Sequence, residues 1–182
     1  SLDVFILSTE LLRSLVDECQ AHDQYSFRRD VLQAKQALLN LQSYTWGGFA
    51  AQIRSVQEYY DRSMQLLDKD IRADLFTPER PIRAKGADKA STYIGPDGVC
   101  LNSLVAEGCR IEGTVVNSIL FPGVTVERGA DVQGCILFRG TCVRRNARLA
   151  HVITDKHVEL LPGRTMMGHA NYPIVIAKNS VV

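Results

Sequence analysis

Apolar residues in the second half of the chain recur in columns. Leu104, Ile119, Ile136 and Ile153 are separated by 15, 17 and 17 residues, and Ile111, Val126, Val143 and Leu160 by the same three intervals. Val132, Leu149 and Met166 form a third column with the 17-residue step. Turn-forming residues keep the same period, since Gly129, Asn146 and Gly163 each follow the second column by three positions. Within a repeat the apolar positions are six apart: Val99, Val105 and Ile111, then Val126 and Val132, then Val143 and Leu149. Six is a multiple of the strand period of two, so these positions share one inward face on extended chain. Short strands, turn punctuation and a coil of about 17 residues predict a parallel β-helix of hexapeptide-like steps. A solenoid of this kind is a scaffold, so chemistry has to be argued from particular residues.

The first half follows different periods. Val4–Leu7 predicts a buried strand, and Ser8 or Thr9 caps a helix with Leu11, Leu12, Leu15, Val16 and Cys19 on one face. Phe27, Val31, Ala34 and Leu38 give a second helical stripe. Tyr44–Phe49 alternates like a strand until Gly47-Gly48 breaks it. Ser55 and Glu58 form a capping box at the head of a helix expected to bury Val56, Tyr60, Met64 and Leu67. Residues 1–76 are therefore predicted to be mixed α/β. Residues 77–92 hold Pro78, Pro81 and Gly86 among Arg80, Arg83, Lys85 and Lys89, a linker composition. Residues 93–182 form the β-helix domain, opened by the turn signal Gly95-Pro96-Asp97-Gly98.

Composition narrows the possible functions. A 46% hydrophobic and 23% charged chain of 182 residues is globular, and its formal net charge of +1 offers no field for nucleic acid or an anionic membrane. Five cysteines, an odd number without C-x-x-C spacing, predict reduced thiols in a cytoplasmic protein and no zinc site. Val4–Leu7 is too short for a signal peptide or a membrane span. The abrupt start on an apolar run suggests that a segment upstream is missing.

Few side chains in the solenoid suggest chemistry. Arg139, Arg144, Arg145 and Arg148 form its basic cluster, and Lys156 lies 17 residues after Arg139, in register on the next coil. Such a cluster can bind an anionic effector through charge-assisted bonds, or can be a solvated rim balanced by Glu127, Asp131 and Asp155. The second reading is the simpler one. Arg83 and Lys85 are similar candidates in the linker. His151 and His157 invite comparison with the coil histidine of hexapeptide acyltransferases. His151 shares its coil position with Asn117 and Gly134, and His157 shares its own with Gly108, Gly123 and Gly140, so structural roles suffice for both.

Several segments resemble the C-terminal part of the ADP-glucose pyrophosphorylase (glucose-1-phosphate adenylyltransferase) family. They are Gly48–Tyr60 running into Met64–Leu67, Arg80–Arg83, Asn102–Gly108 and Asn117–Val124, while Met167–Ala177 is most similar to the GlgD-type glycogen-biosynthesis subunit. The resemblance covers nearly the whole chain. It implies that residues 1–76 are the end of a Rossmann-like nucleotidyltransferase domain and that the β-helix is left-handed, an exception to the usual crossover rule. It also implies that the chain is a fragment, because the family's glycine-rich nucleotide loop has no counterpart here. Active members carry an Asp, followed two residues later by Gly, at the turn matched by Gln52 and Arg54. That Asp helps to hold Mg²⁺ and the sugar phosphate, so a neutral Gln52 and a bulky Arg54 imply a weak or inactive catalyst. Asp30 matches another family Asp, although helix electrostatics explain it without function.

The resulting expectation is a regulatory or assembly portion of a glucose-1-phosphate adenylyltransferase in cytoplasmic glycogen biosynthesis, non-catalytic and without a cofactor of its own. Mg²⁺ would serve the full-length catalytic members. The expected partners are a catalytic pyrophosphorylase subunit or a second copy, and possible effector residues are Arg83, Lys85, Arg139, Arg144, Arg145 and Lys156. Two alternatives stay open: a hexapeptide-repeat acyltransferase, and the C-terminal part of a catalytic pyrophosphorylase subunit.

Overall fold

A computed structural model describes residues 2–83 and 90–182. By contacts the chain separates into two compact units, Ser1–Ala50 and Ala51–Val182.

In the first unit Ser8 caps helix α1 (Thr9–Ala21), accepting the Leu11 N–H at 3.2 Å. A π-helical segment, Phe27–Gln33, follows, capped by Ser26. Only Leu15 and Val31 are buried among the apolar side chains of these two elements. The expected strand at 4–7 does not form, and Ile6 is 98% exposed. Residues 44–49 are likewise irregular. The physical reason is the same in both places: a strand must pair its backbone donors and acceptors, and no strand is described in residues 2–50. The second helical stripe stops at Gln33 and never reaches Leu38, which is exposed.

The second unit begins with helix α2 (Val56–Gln65), whose cap is the expected one with a shift. Ser55 Oγ accepts the Glu58 N–H at 3.1 Å, and Glu58 reaches back to the Arg54 N–H at 2.6 Å, one residue beyond the usual box. Tyr60 is buried as expected, whereas Val56 is half exposed. Helix α3 (Lys69–Leu75), capped by Asp68, has no counterpart in the sequence-based expectation.

The remainder is the predicted solenoid. Each coil contributes three short strands: β1 (Tyr93–Ile94), β2 (Val99–Leu101) and β3 (Leu104–Val105); then β4 (Arg110–Ile111), β5 (Thr114–Val116) and β6 (Ile119–Leu120). There follow β7 (Thr125–Val126), β8 (Asp131–Gln133) and β9 (Ile136–Leu137); β10 (Cys142–Val143), β11 (Arg148–Ala150) and β12 (Val152–Thr154); and β13 (Glu159–Leu160), β14 (Thr165–Met167) and β15 (Ile174–Ile176). They stack into three five-stranded parallel sheets, β1-β4-β7-β10-β13, β2-β5-β8-β11-β14 and β3-β6-β9-β12-β15.

The sequence columns are the pairing registers. Ile111, Val126, Val143 and Leu160 are consecutive Cα partners and fully buried, as are Val132 and Leu149. Val99 departs from expectation, because it pairs with Thr114 on the outer face and Cys100 takes the inward position. The third interior column, Val105, Leu120, Leu137, Thr154 and Ile176, admits one hydroxyl. Thr154 Oγ1 meets Thr141 Oγ1 at 2.8 Å and accepts the Phe138 N–H at 3.2 Å, so the buried polar atom is satisfied.

Candidate functional site

The Leu104, Ile119, Ile136, Ile153 column lies on the outer face of the third sheet, since the adjacent residues Val105, Leu120 and Leu137 belong to the interior. Helix α2 covers its middle. Tyr60, Ile136 and Ile153 form a second buried cluster, with Tyr59, Met64, Ile119 and Phe138 packed against it. Tyr59 meets Phe138 edge-on at 6.3 Å, and Phe138 meets Phe121 at 4.7 Å.

One buried hydroxyl fixes this packing. Tyr60 Oη lies 2.7 Å from the Gly134 carbonyl and 2.8 Å from His151 Nδ1. A carbonyl can only accept, so the single phenol proton goes to Gly134, and His151 must donate its Nδ1–H to Tyr60. Burial pushes the phenol up to about 12, with Cys135 and Asp61 adding to the shift. One turn earlier, Gln57 Nε2 donates to the Ala170 carbonyl at 2.7 Å, tying α2 to the loop after β14.

At the head of α2 lies the turn Gln52–Arg54. The Arg54 guanidinium donates to Gln52 Oε1, and Glu58 is occupied as the helix cap. A divalent cation needs hard anionic oxygens, and a neutral amide beside a guanidinium does not fit one. No group of three or more His, Cys, Asp or Glu side chains suited to a metal occurs among the described residues. Between this turn and the solenoid lies an open, mainly apolar groove of about 620 Å³, lined by Ile53, Val56, Tyr59, Phe138, Ile153 and Val175, with Arg54 and Asp155 also on its wall.

The expected effector residues of the solenoid fall on two different corners. Arg144 sits between Glu127 at 2.9 Å and Glu159 at 2.6 Å, and these bonds hold its guanidinium well above the usual arginine value. Glu127 is correspondingly lowered by Arg144, and it also accepts the Arg145 N–H at 3.0 Å. Arg145 itself is exposed. Arg139 and Lys156 are exposed and in register, as the flanking pairs Leu137↔Thr154 and Cys142↔Glu159 require. They lie on the turns leading into β10 and β13, whereas Arg144 and Arg145 lie on the turn leaving β10. Arg83 is exposed, and Lys85 falls outside the described residues. His157 is an exposed turn residue stacked over Gly140. Asp30 accepts the Ser26 and Tyr25 N–H groups and pairs with Arg29, which holds it down at about 2, a structural role.

Residues 87–171 match the family described as GlmU-like, C-terminal hexapeptide. Fold and match together define the class: a parallel β-solenoid of the hexapeptide kind, here carrying a helix on one outer face. The similarity to curated proteins extends beyond the solenoid. The glycogen biosynthesis protein GlgD of Bacillus subtilis (strain 168) is 34% identical over 183 residues, covering 100% of this chain and 52% of the relative. The protein of the same name from Geobacillus stearothermophilus is 36% identical, with 100% and 52% covered. A glucose-1-phosphate adenylyltransferase of Acetivibrio thermocellus is 29% identical over 164 residues, covering 88% of this chain and 38% of the relative. The chain is thus similar over its whole length to GlgD proteins and, over most of it, to the C-terminal regions of glucose-1-phosphate adenylyltransferases. It spans about half the length of the GlgD proteins it matches.

No helix among the described residues is long and apolar enough to cross a membrane.

Proposed function

We propose that this protein serves glycogen biosynthesis as a regulatory or assembly component of glucose-1-phosphate adenylyltransferase, and that it does not catalyse the reaction itself. The observation that carries the reading is the turn at Gln52 and Arg54, a neutral amide and a cation where the reaction needs an anionic metal ligand, in a chain similar throughout to GlgD. In this reading Mg²⁺ acts in the catalytic subunits, where ATP and glucose 1-phosphate become ADP-glucose and pyrophosphate. Residues 1–76 are the end of a Rossmann-like nucleotidyltransferase domain, 77–92 the linker, and 93–182 a left-handed β-helix. The protein works in the cytoplasm beside a catalytic subunit or a second copy of itself. A sugar-phosphate effector, if bound, has Arg139 and Lys156 as its best-placed cations, because Arg144 is already neutralised by two carboxylates.

The acyl-transfer alternative lacks support at its expected base. The Nδ1 of His151 is engaged by a buried phenol, and the comparisons lead to adenylyltransferases. The test is ADP-glucose formation by the native-length protein, alone and mixed with a catalytic subunit from the same organism. No turnover alone and an altered rate or effector response in the mixture is the expected result. Enzyme-like turnover by the protein alone would overturn the proposal.

A further inference from the structure

The corner between the second and third sheets carries one left-handed residue on each of the first four coils. Asn102, Asn117, Gly134 and His151 have φ of 42°, 47°, 58° and 52°, and backbone bonds link the row from coil to coil. Asn is among the few side chains that tolerate this conformation, and stacked Asn residues can bond along the solenoid axis. The first two do so, with Asn102 Nδ2 donating to Asn117 Oδ1 at 2.7 Å. The side-chain ladder then breaks at Gly134, and the Tyr60 hydroxyl occupies the gap. A Cβ at Gly134 would stand 3.1 Å from Tyr60 Oη and 3.0 Å from His151 Nδ1. Glycine therefore satisfies two demands here: the positive φ, which Asn also meets, and the space, which Asn would fill.

We propose that the side-chain gap at Gly134 is a recognition slot for the Tyr60 hydroxyl, which fixes helix α2, and with it the turn Gln52–Arg54, on the face of the solenoid. Tyr60 is a positioning residue. The turn ends six residues ahead of Tyr60 and two ahead of the first residue of this capped helix, so the slot sets where the turn sits relative to the groove lined by Phe138, Ile153 and Val175. Apolar packing alone would let α2 slide along the uniform Ile119, Ile136, Ile153 column. The buried slot at Gly134, with the exposed Gln57 bond to the Ala170 carbonyl beside it, removes that freedom. The meaning of the turn for the enzyme rests on the function proposed above, whereas the slot itself does not.

Amide hydrogen exchange on the unmixed chain tests this with Gly134→Asn and Tyr60→Phe. Gly134→Asn continues the ladder and keeps a residue that accepts positive φ, while filling the slot. Tyr60→Phe keeps the ring and removes only the bonding oxygen. In both variants, amides of residues 53–65 are expected to exchange at least about tenfold faster, the scale of one buried hydrogen bond lost with its partners stranded. Amides of β9 and β12 are expected to keep wild-type protection. Unchanged protection of residues 53–65 in both variants overturns the proposal. A parallel loss in β9 and β12 also overturns it, since Tyr60 would then merely support the solenoid. If Gly134→Asn fails to fold, Tyr60→Phe decides alone. No partner or substrate takes part, so failure of the mixing assay and failure of the slot are separate results.

Discussion

The solenoid and residues 2–50 differ less in their supply of apolar side chains than in what happens to them. In the solenoid, Ile111, Val126, Leu137 and Val143 are removed entirely from solvent, each flanked by its equivalents on the coils above and below. In residues 2–50, Ile6, Leu38 and Tyr44 stay exposed, and Leu15 and Val31 are the buried apolar side chains of the two helical elements. A repeat supplies its own partners, because every coil completes the face of the next. An isolated apolar run has a strand's composition but no neighbour to make it one. Burial therefore follows the repeat rather than the hydrophobicity of a segment.

The largest effect expected from this contrast comes from truncating one side chain on each side of it. Leu137→Ala should cost about 2–5 kcal/mol in urea unfolding, because coils on both sides hold the cavity open. Ile6→Ala should stay within about 0.5 kcal/mol, as expected at an exposed position. Equal costs at the two positions would erase the distinction.

A smaller effect is expected at the solenoid rim. Arg144→Ala leaves Glu127 and Glu159 facing each other without their shared cation. It should lower stability by less than Leu137→Ala and should lose most of its effect in high salt, because the site is partly exposed. A loss of stability that salt leaves unchanged would show that packing, and not charge, is involved.

The pH dependence separates the regions further. The Tyr60 phenol is raised from 10 to about 12, so its contribution is complete below about 10 and is lost as pH climbs towards 12. Protection of α2 should decline across that alkaline window; His151, Cys135 and Asp61 are the titratable groups nearest the hydroxyl. Asp30 runs the other way. Held at about 2, it supports the π-helical segment above its ordinary value of 3.8 and loses that support as pH falls towards 2. This smallest effect should be confined to residues 25–33 and is visible in their amide shifts during an acid titration.

The registers of the solenoid were legible in the sequence because a repeat writes each contact several times. The 17-residue step alone places Val143 beside Val126, and the two are Cα partners. The face of a single unrepeated residue was not legible, as Val99 shows. The end of the third sheet was also hidden, because loop 168–173 lengthens the β12–β15 step, pairing Val152 with Ile174. The expected effector cluster was readable as charge but not as geometry. Glu127 lies one coil before Arg144, so its neutralising partner was present at the same period. The slot for Tyr60 left no periodic trace. Gly134 reads as one more small turn residue, and only the break in the Asn ladder distinguishes it. Conversely, the outward column of isoleucines was visible in sequence, and it was the seat of a helix rather than part of the interior.

The central claim, that this protein acts as a component of an adenylyltransferase assembly, is tested most directly by sedimentation of the native-length protein with a catalytic glucose-1-phosphate adenylyltransferase subunit from the same organism. The account expects a heavier species containing both chains, or a homo-oligomer of this protein that binds the catalytic subunit. Two independent boundaries, with this protein monomeric and the other unchanged, would contradict it.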